Sequence, residues 1–171
     1  RRLIENSPYI AYIYGSKSGA KFWSDRVQDI LGYKPDKLKE NPFLWHNSIH
    51  KEDKSKVIKA IRESKEGKSF SLEYRMQDSE GEWHWIRDRS ISIRDEDNET
   101  IIEGLAIDIT KEKQAEEELK RSRERYKTVF ENSAEATIII EKDTTISMAN
   151  KEFEKLSGYS KEEVENKMSW T

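Results

Sequence analysis

The spacing of apolar positions changes period three times along the chain. Tyr9 to Tyr14 (YIAYIY) is a short apolar and aromatic run between Pro8 and Gly15, which predicts a strand. Residues 16–19 (SKSG) form a turn, and residues 20–24 (AKFWS) predict the returning strand of a hairpin. Residues 25–31 (DRVQDIL) predict one or two helical turns ending at Gly32, and Pro35 opens another toward Glu40. From Glu52 to Glu66 the period is helical, with Val57, Ile58 and Ile61 as its stripe and Gly67 as its stop. The period then becomes two. Residues 69–77, 83–94 and 101–109 predict three strands joined by the turns DSEG and DEDNE, an antiparallel meander. Strands, short helices and strands again, without a βαβ rhythm, predict an α+β domain with helices on one face of a sheet.

Alternation within the strands sorts side chains into faces. Leu72, Tyr74 and Met76 oppose Glu73, Arg75 and Gln77. Trp83, Trp85, Arg87, Arg89, Ile91 and Ile93 oppose His84, Ile86, Asp88, Ser90 and Ser92. Leu105 and Ile107 oppose Ile102, Gly104 and Ala106. Both faces carry apolar groups, so one packs the helices and the other needs a cover from outside the sheet. Beyond the last strand the pattern turns helical. Ala115, Leu119, Ser122, Tyr126 and Val129 succeed one another at spacings of four and three, a heptad seam. Glu116 to Lys120 and Glu117 to Arg121 are acid-to-base pairs four apart, each worth about 0.2–0.5 kcal/mol. Thr110 is placed to cap this helix with its hydroxyl. Fewer than three full heptads is marginal for a coiled coil. The helix is therefore either a solvated linker or one half of a paired coil that carries movement between domains.

Composition narrows the function classes. The 171 residues suit one domain and a fraction. Hydrophobic residues, at 34%, are outnumbered by charged ones at 38%, but 10% aromatics can fill a small core. The net charge of −3, without a long basic block, argues against nucleic acid or a membrane surface as partner. The absence of cysteine removes disulfides, Cys-ligated zinc and any thiol nucleophile. No apolar run approaches the length of a membrane-spanning helix. The opening RRLIENSP has no start Met or signal sequence, which reads as a cytoplasmic segment of a longer protein.

The chain also repeats itself. A single shift carries Glu5-Asn6-Ser7 onto Glu131-Asn132-Ser133, Gly32-Tyr33 onto Gly158-Tyr159 and Leu38 onto Val164. Trp45 matches Trp170 after one deletion. This indicates a duplication whose second copy stops at Thr171, before its long helix and last three strands.

The residues ENSP (5–8), ILGY (30–33), EYR (73–75), EGEWHWIR (80–87), IRDEDNE (93–99) and GLAIDITKEKQAEEEL (104–119) resemble the PAS family of sensory domains. The last two match its PAC portion, ending in an Asp-Ile-Thr signature. The resemblance covers residues 3–119 as a full copy and 129–171 as the opening of a second. It implies a five-stranded antiparallel sheet in order 2-1-5-4-3, with helices on one face, followed by a linker helix. The implied layout is a PAS domain with PAC portion at 1–110, a helical signalling linker at 111–127 and a truncated second PAS domain at 128–171. Tandem copies joined by a helix look most like the input region of a sensor histidine kinase in a two-component system.

The resemblance also frames the chemistry. By the family's register, Ile86, Asp88 and Ser90 point inward with Arg75, Ile102, Gly104 and Ala106. The small residues at 104 and 106 would leave room for a pocket between helix and sheet. Arg75 and Asp88 would pair there, either as a buried structural ion pair or as a polar pocket reading a carboxylate through Arg75. The family role of Asp108, Ile109 and Thr110 is to couple the last strand to the helix that begins the Ala115–Leu119 seam. Tyr74, Trp83, Trp85, Ile91, Leu105 and Ile107 form the expected outer face of a homodimer. No cofactor is expected: a flavin adduct or a coumaroyl thioester needs Cys, and an axial haem ligand needs a His that residues 52–66 lack. An unknown small ligand stays open. His46 and His50 stand four apart, but Asn47 replaces the Glu of a zinc-protease pattern, so no metal site is expected. His50-Lys51-Glu52-Asp53 stands where the family often has a His-Pro-x-Asp turn. No nucleophile–base pair, phospho-accepting His motif or glycine box is visible, so the segment is read as non-enzymatic. Its partners would be a second copy of itself and the downstream kinase or further PAS domains. The alternatives are a dedicated ligand sensor or a purely structural dimerisation domain.

Overall fold

The structure is a computed structural model describing residues 7–170. Glu5 and Asn6 of the first repeat anchor, and Thr171, lie outside the described residues. Two compact units divide between Gln114 and Ala115.

The first unit begins with a hairpin, β1 (Ile10–Gly15) and β2 (Gly19–Trp23). Three short helices come next: α1 (Arg26–Leu31), α2 (Pro35–Glu40) and α3 (Pro42–Ser48). Gly32 ends α1 in the left-handed region at φ 68°, where a side chain would be strained. Helix α3 was not expected. It starts where Asn41 accepts from the Phe43 backbone N–H, just ahead of Pro42 at the first helical position. His46 lies in its last turn and His50 beyond its end. Helix α4 (Lys54–Ser64) is shorter than the predicted 52–66. It buries Val57 and Ser64 and half-buries Ile61, whereas Ile58 is exposed.

Strands β3 (Ser71–Gln77), β4 (Trp83–Glu96) and β5 (Glu99–Asp108) complete an antiparallel sheet in the order β2-β1-β5-β4-β3. That is the expected order, and the helices pack on one face. Register places Tyr74 opposite Ile86 and Ile10 opposite Ala106, so these side chains share the buried face. A bulge between Ser90 and Ser92 shifts β4 by one residue against β5. Ile93 is thereby paired with Ile102 and moves to the inner face, while Ile91 stays outside and exposed. The uniform alternation expected along residues 83–94 holds only as far as this bulge.

Helix α5 runs from Thr110 to Glu131, longer at both ends than the predicted 111–127. The second unit adds β6 (Ile138–Ile140), β7 (Ile146–Ala149), α6 (Lys151–Ser157) and α7 (Lys161–Val164). Its local geometry mirrors that of the first hairpin. The β1–β2 register shifts between Ile13 and Tyr14; the β6–β7 register shifts between Ile139 and Ile140. Ser24 Oγ accepts from the Ala11 N–H at 3.0 Å, and Asn150 Oδ1 accepts from the Thr137 N–H at 2.9 Å. Gly158 ends α6 at φ 78°, as Gly32 ends α1. Val164 is buried, as Leu38 is.

Candidate functional site

The inner face of the first unit holds one buried polar cluster. Asp88, on β4, is 4% exposed. Its Oδ1 accepts from the Tyr12 hydroxyl at 2.8 Å and its Oδ2 from the Tyr74 hydroxyl at 3.2 Å. Tyr12 stands on β1, and β5 lies between β1 and β4. The phenol can cross only because residue 104 is glycine: a Cβ there would meet the Tyr12 ring at 2.2 Å. Burial pushes the Asp88 carboxyl up to about 7, against the two phenol hydrogen bonds, which favour the anion. Burial also raises both tyrosines well above their ordinary values. Beside this cluster lies a cavity of about 30 Å³, lined by Ile86, Asp88, Ile102 and Ala106 among others. That is space for a water or two. The Trp23 indole, which also lines it, has a buried N–H without a partner among the described residues.

Four of the predicted pocket residues therefore meet here, and three do not line the space. Gly104 leaves no room, because Tyr12 fills it. Ser90 Oγ is taken by the Phe70 backbone N–H at 2.9 Å. Arg75 does not pair with Asp88 and lies on the opposite face. Register sets it beside Trp85, with its guanidinium carbon 5.4 Å from that ring's centroid. Its partners are Asp53 at 2.8 Å and Glu52 at 2.8 Å, both just before α4. Those bonds outweigh the burial of Asp53 and hold its carboxyl well below the usual range. Tyr74 is the converse correction: expected on the outer face, it is 2% exposed and buried within the core. Alternation paired the β3 residues correctly but left open which set faces the helices. Burying Leu72, Tyr74 and Met76 instead of Glu73, Arg75 and Gln77 is what the hydrophobic effect favours.

The end of β5 forms a second cluster. Ile109 is buried, and its N–H donates to the Trp85 carbonyl at 2.8 Å. The Thr110 hydroxyl accepts from the Trp85 N–H at 2.9 Å, so it does not cap its own helix as expected. Asp108 supplies the cap, accepting from the Thr110 N–H at 2.7 Å. Asp108 Oδ2 also lies 2.9 Å from His84 Nδ1, and His84 Nε2 lies 3.2 Å from Asp78 Oδ2 in the β3–β4 turn. Further out, Arg87 meets Glu73 at 2.9 Å and Glu112 at 3.3 Å, while Lys113 meets Glu73 at 2.8 Å. The first turn of α5 thus continues β5 and is fastened to β3 and β4 by hydrogen bonds and ion pairs. Beyond it, Ala115 and Leu119 are exposed, as are Tyr126 and Val129.

On the outer face Trp83 and Ile91 are exposed, and Trp85, Leu105 and Ile107 are half-buried. Trp85 is flanked by cations, with Lys56 and Lys113 at 6.0 and 5.6 Å from its centroid as well as Arg75. Reading the sequence missed Tyr12 and His84. His84 did carry a signal, since alternation sets it on the face of Ile86 and Asp88, on the strand between one that runs into Asp78 and one that ends at Asp108. Tyr12 carried none beyond its place opposite a glycine.

Comparison with known proteins gives these features a setting. The chain is 25% identical over 159 residues to the two-component sensor PprA of Pseudomonas aeruginosa, covering 90% of this chain and 17% of that protein. It is 29% identical over 146 residues to the sensor protein FixL of Bradyrhizobium diazoefficiens, covering 84% of this chain and 29% of that protein. The chain thus spans less than a third of either relative. Among solved structures, a sensory box histidine kinase/response regulator from Burkholderia thailandensis superposes with a TM-score of 0.59 at 23% identity. That match covers 74% of this chain and 96% of the other. The N-terminal domain of a diguanylate cyclase with PAS/PAC sensor from Marinobacter aquaeolei gives a TM-score of 0.54 at 23% identity, covering 61% and 97%. A family model described as a PAS domain matches residues 124–171. A second, described as a PAS fold, matches residues 20–106, more than half of the chain, and the chain belongs to the PAS family.

Proposed function

We propose that this chain is a non-enzymatic sensory and interaction module of a two-component sensor histidine kinase, and that it relays the state of its first unit through α5. The observation that carries this reading is the fastening at the start of α5. A helix of 22 residues rises from β5 with its cap, its first hydrogen bonds and its ion pairs all anchored in the sheet. A displacement of β4 or β5 is thereby passed to the helix rather than absorbed by a loose joint. The sensor names of PprA and FixL support the setting.

The second unit is, on this reading, the opening of another PAS copy. The coincident bulges, the paired Ser24 and Asn150 anchors and the left-handed Gly32 and Gly158 support it. The working form is a homodimer in the cytoplasm. It pairs along Ala115, Leu119, Ser122, Tyr126 and Val129 and through the outer face bearing Trp83 and Ile91. The downstream kinase or further PAS domains are its other partners. No helix among the described residues is long and apolar enough to cross a membrane.

A second reading, a dedicated small-molecule sensor, draws on the unpartnered Trp23 N–H and the Asp88 cluster beside the cavity. The size of that cavity favours the first reading, since a metabolite would have to displace core side chains.

Proline at position 117 tests the relay. Glu117 is exposed, and a mid-helix proline costs about 3 kcal/mol of local helix stability. In the longer protein, output should stop responding to the first unit while the thermal melt of the sheet is unchanged. Output that still responds to the first unit would overturn the relay.

A further inference from the structure

His84 sits between two carboxylates that already have other work. Asp78 Oδ1 accepts from the Glu80 and Glu82 N–H groups at 2.9 and 2.8 Å and so shapes the β3–β4 turn. Asp108 Oδ1 accepts from the Thr110 N–H and starts α5. The remaining oxygen of each acid faces one imidazole nitrogen, at 3.2 and 2.9 Å. A neutral imidazole donates from one nitrogen and offers a lone pair at the other. In this arrangement the lone pair would point at a carboxylate oxygen. Only the doubly protonated ring satisfies both contacts. The side chains are 21%, 15% and 28% exposed for His84, Asp78 and Asp108, so water reaches the cluster without flooding it.

We propose that His84 is a proton-operated clasp: its imidazolium ties the β3–β4 turn, through Asp78, to the carboxylate that starts the linker helix, and loss of the proton releases the turn. The shorter Asp108 contact is the one a neutral ring keeps, with Nδ1 as donor. The Asp78 contact becomes repulsive and opens. Of the elements packed against the ring, β5 presents Asp108, the turn presents Asp78, and β3 presents the uncharged Met76 opposite it in register. Burial alone would lower the basicity of the ring, but the two acids outweigh it and raise it above the ordinary value. The clasp is therefore fully closed below the midpoint of an unperturbed imidazole, about 6.5, and opens as pH rises through the higher folded midpoint. This places a proton input at the output end of the relay. It depends on the relay reading for its meaning but not for its test.

The test is ring titration by NMR together with amide exchange, corrected for intrinsic rates, on the whole 171-residue chain. The His84 midpoint should lie above about 6.5, and protection at Glu80 and Glu82 should fall through the same midpoint. Asp78→Asn, which leaves the helix cap in place, should lower the midpoint and uncouple turn protection from pH. His84→Gln should leave turn protection independent of pH. A midpoint at or below about 6.5, or turn protection indifferent to His84 titration, overturns the clasp. Either result leaves the proline test of the relay untouched.

Discussion

In the first unit, the edge of β1 away from β2 is paired along its length with β5, from Ile10 opposite Ala106 to Gly15 opposite Ile101. In the second unit the sheet has two strands, β6 and β7. The difference shows in the helices. Helix α1 buries Val27 and Leu31, whereas α6 buries no residue and leaves Leu156 80% exposed. Yet the bulge, the side-chain anchor and the left-handed glycine recur in both units. Local sequence thus shapes the hairpin and its helix ends, while burying the helix that follows needs further strands beside the hairpin. The second unit buries a small apolar set, Phe130, Ile146, Ala149 and Val164, beside a buried polar anchor. Asn150 is fully buried and makes four hydrogen bonds: it accepts from the N–H groups of Thr137 and Phe153 and donates to the carbonyls of Phe130 and Glu135. Lys161 pairs with Glu131 on the same unit.

The contrast is most easily broken by truncating one apolar side chain in each unit. Tyr74→Ala should cost about 3–5 kcal/mol in chemical denaturation, since it empties a packed position. Leu156→Ala should cost less than about 0.5 kcal/mol. Similar losses would mean that Leu156 is packed in the second unit as Tyr74 is in the first.

The buried polar groups sharpen the contrast next. Asp88 titrates and Asn150 does not. The folded-state value of Asp88, about 7, lies above that of an unfolded Asp, about 3.9. The folded chain therefore holds the extra proton between those values, and stability falls as pH rises from about 4 to about 7. At about 1.36 kcal/mol per unit the full loss is on the order of 4 kcal/mol. Asp88→Asn should flatten that slope in denaturation at stepped pH, and an unchanged slope would place its source elsewhere. Asn150→Ala should cost the second unit about 2–4 kcal/mol, against about 1 for Ser24→Ala in the first, because four hydrogen bonds are lost rather than one. Hydrogen exchange resolved by unit separates the two, and equal losses would deny Asn150 its central place.

Much of the fold was legible. The turns DSEG and DEDNE, the stop at Gly32 and the period-two strands all formed near their predicted bounds. The site was less so, for definite reasons. Alternation says that Tyr74 and Arg75 face opposite ways but not which way is in, and the family's register chose wrongly. Gly104 suggested empty space, because nothing local tells that a tyrosine from β1 will cross it. The bulge at Ser90–Ser92 interrupts the period without leaving a glycine or proline to announce it. Thr110 and Asp108 exchanged capping roles, since both types cap helices and only the tertiary demand of the Trp85 N–H decides between them.

The relay rests most directly on the phase of α5. Each helical residue adds about 1.5 Å and about 100°. Deleting residues 115–121 removes about two turns and restores the phase to within roughly 20°. Deleting two or three residues of the same stretch rotates the downstream end of the helix by about 200° or 300°. Measured as signalling output of the longer protein, the seven-residue deletion should keep more of the response than either shorter one. Equal output from all three deletions would make α5 a spacer and contradict the account.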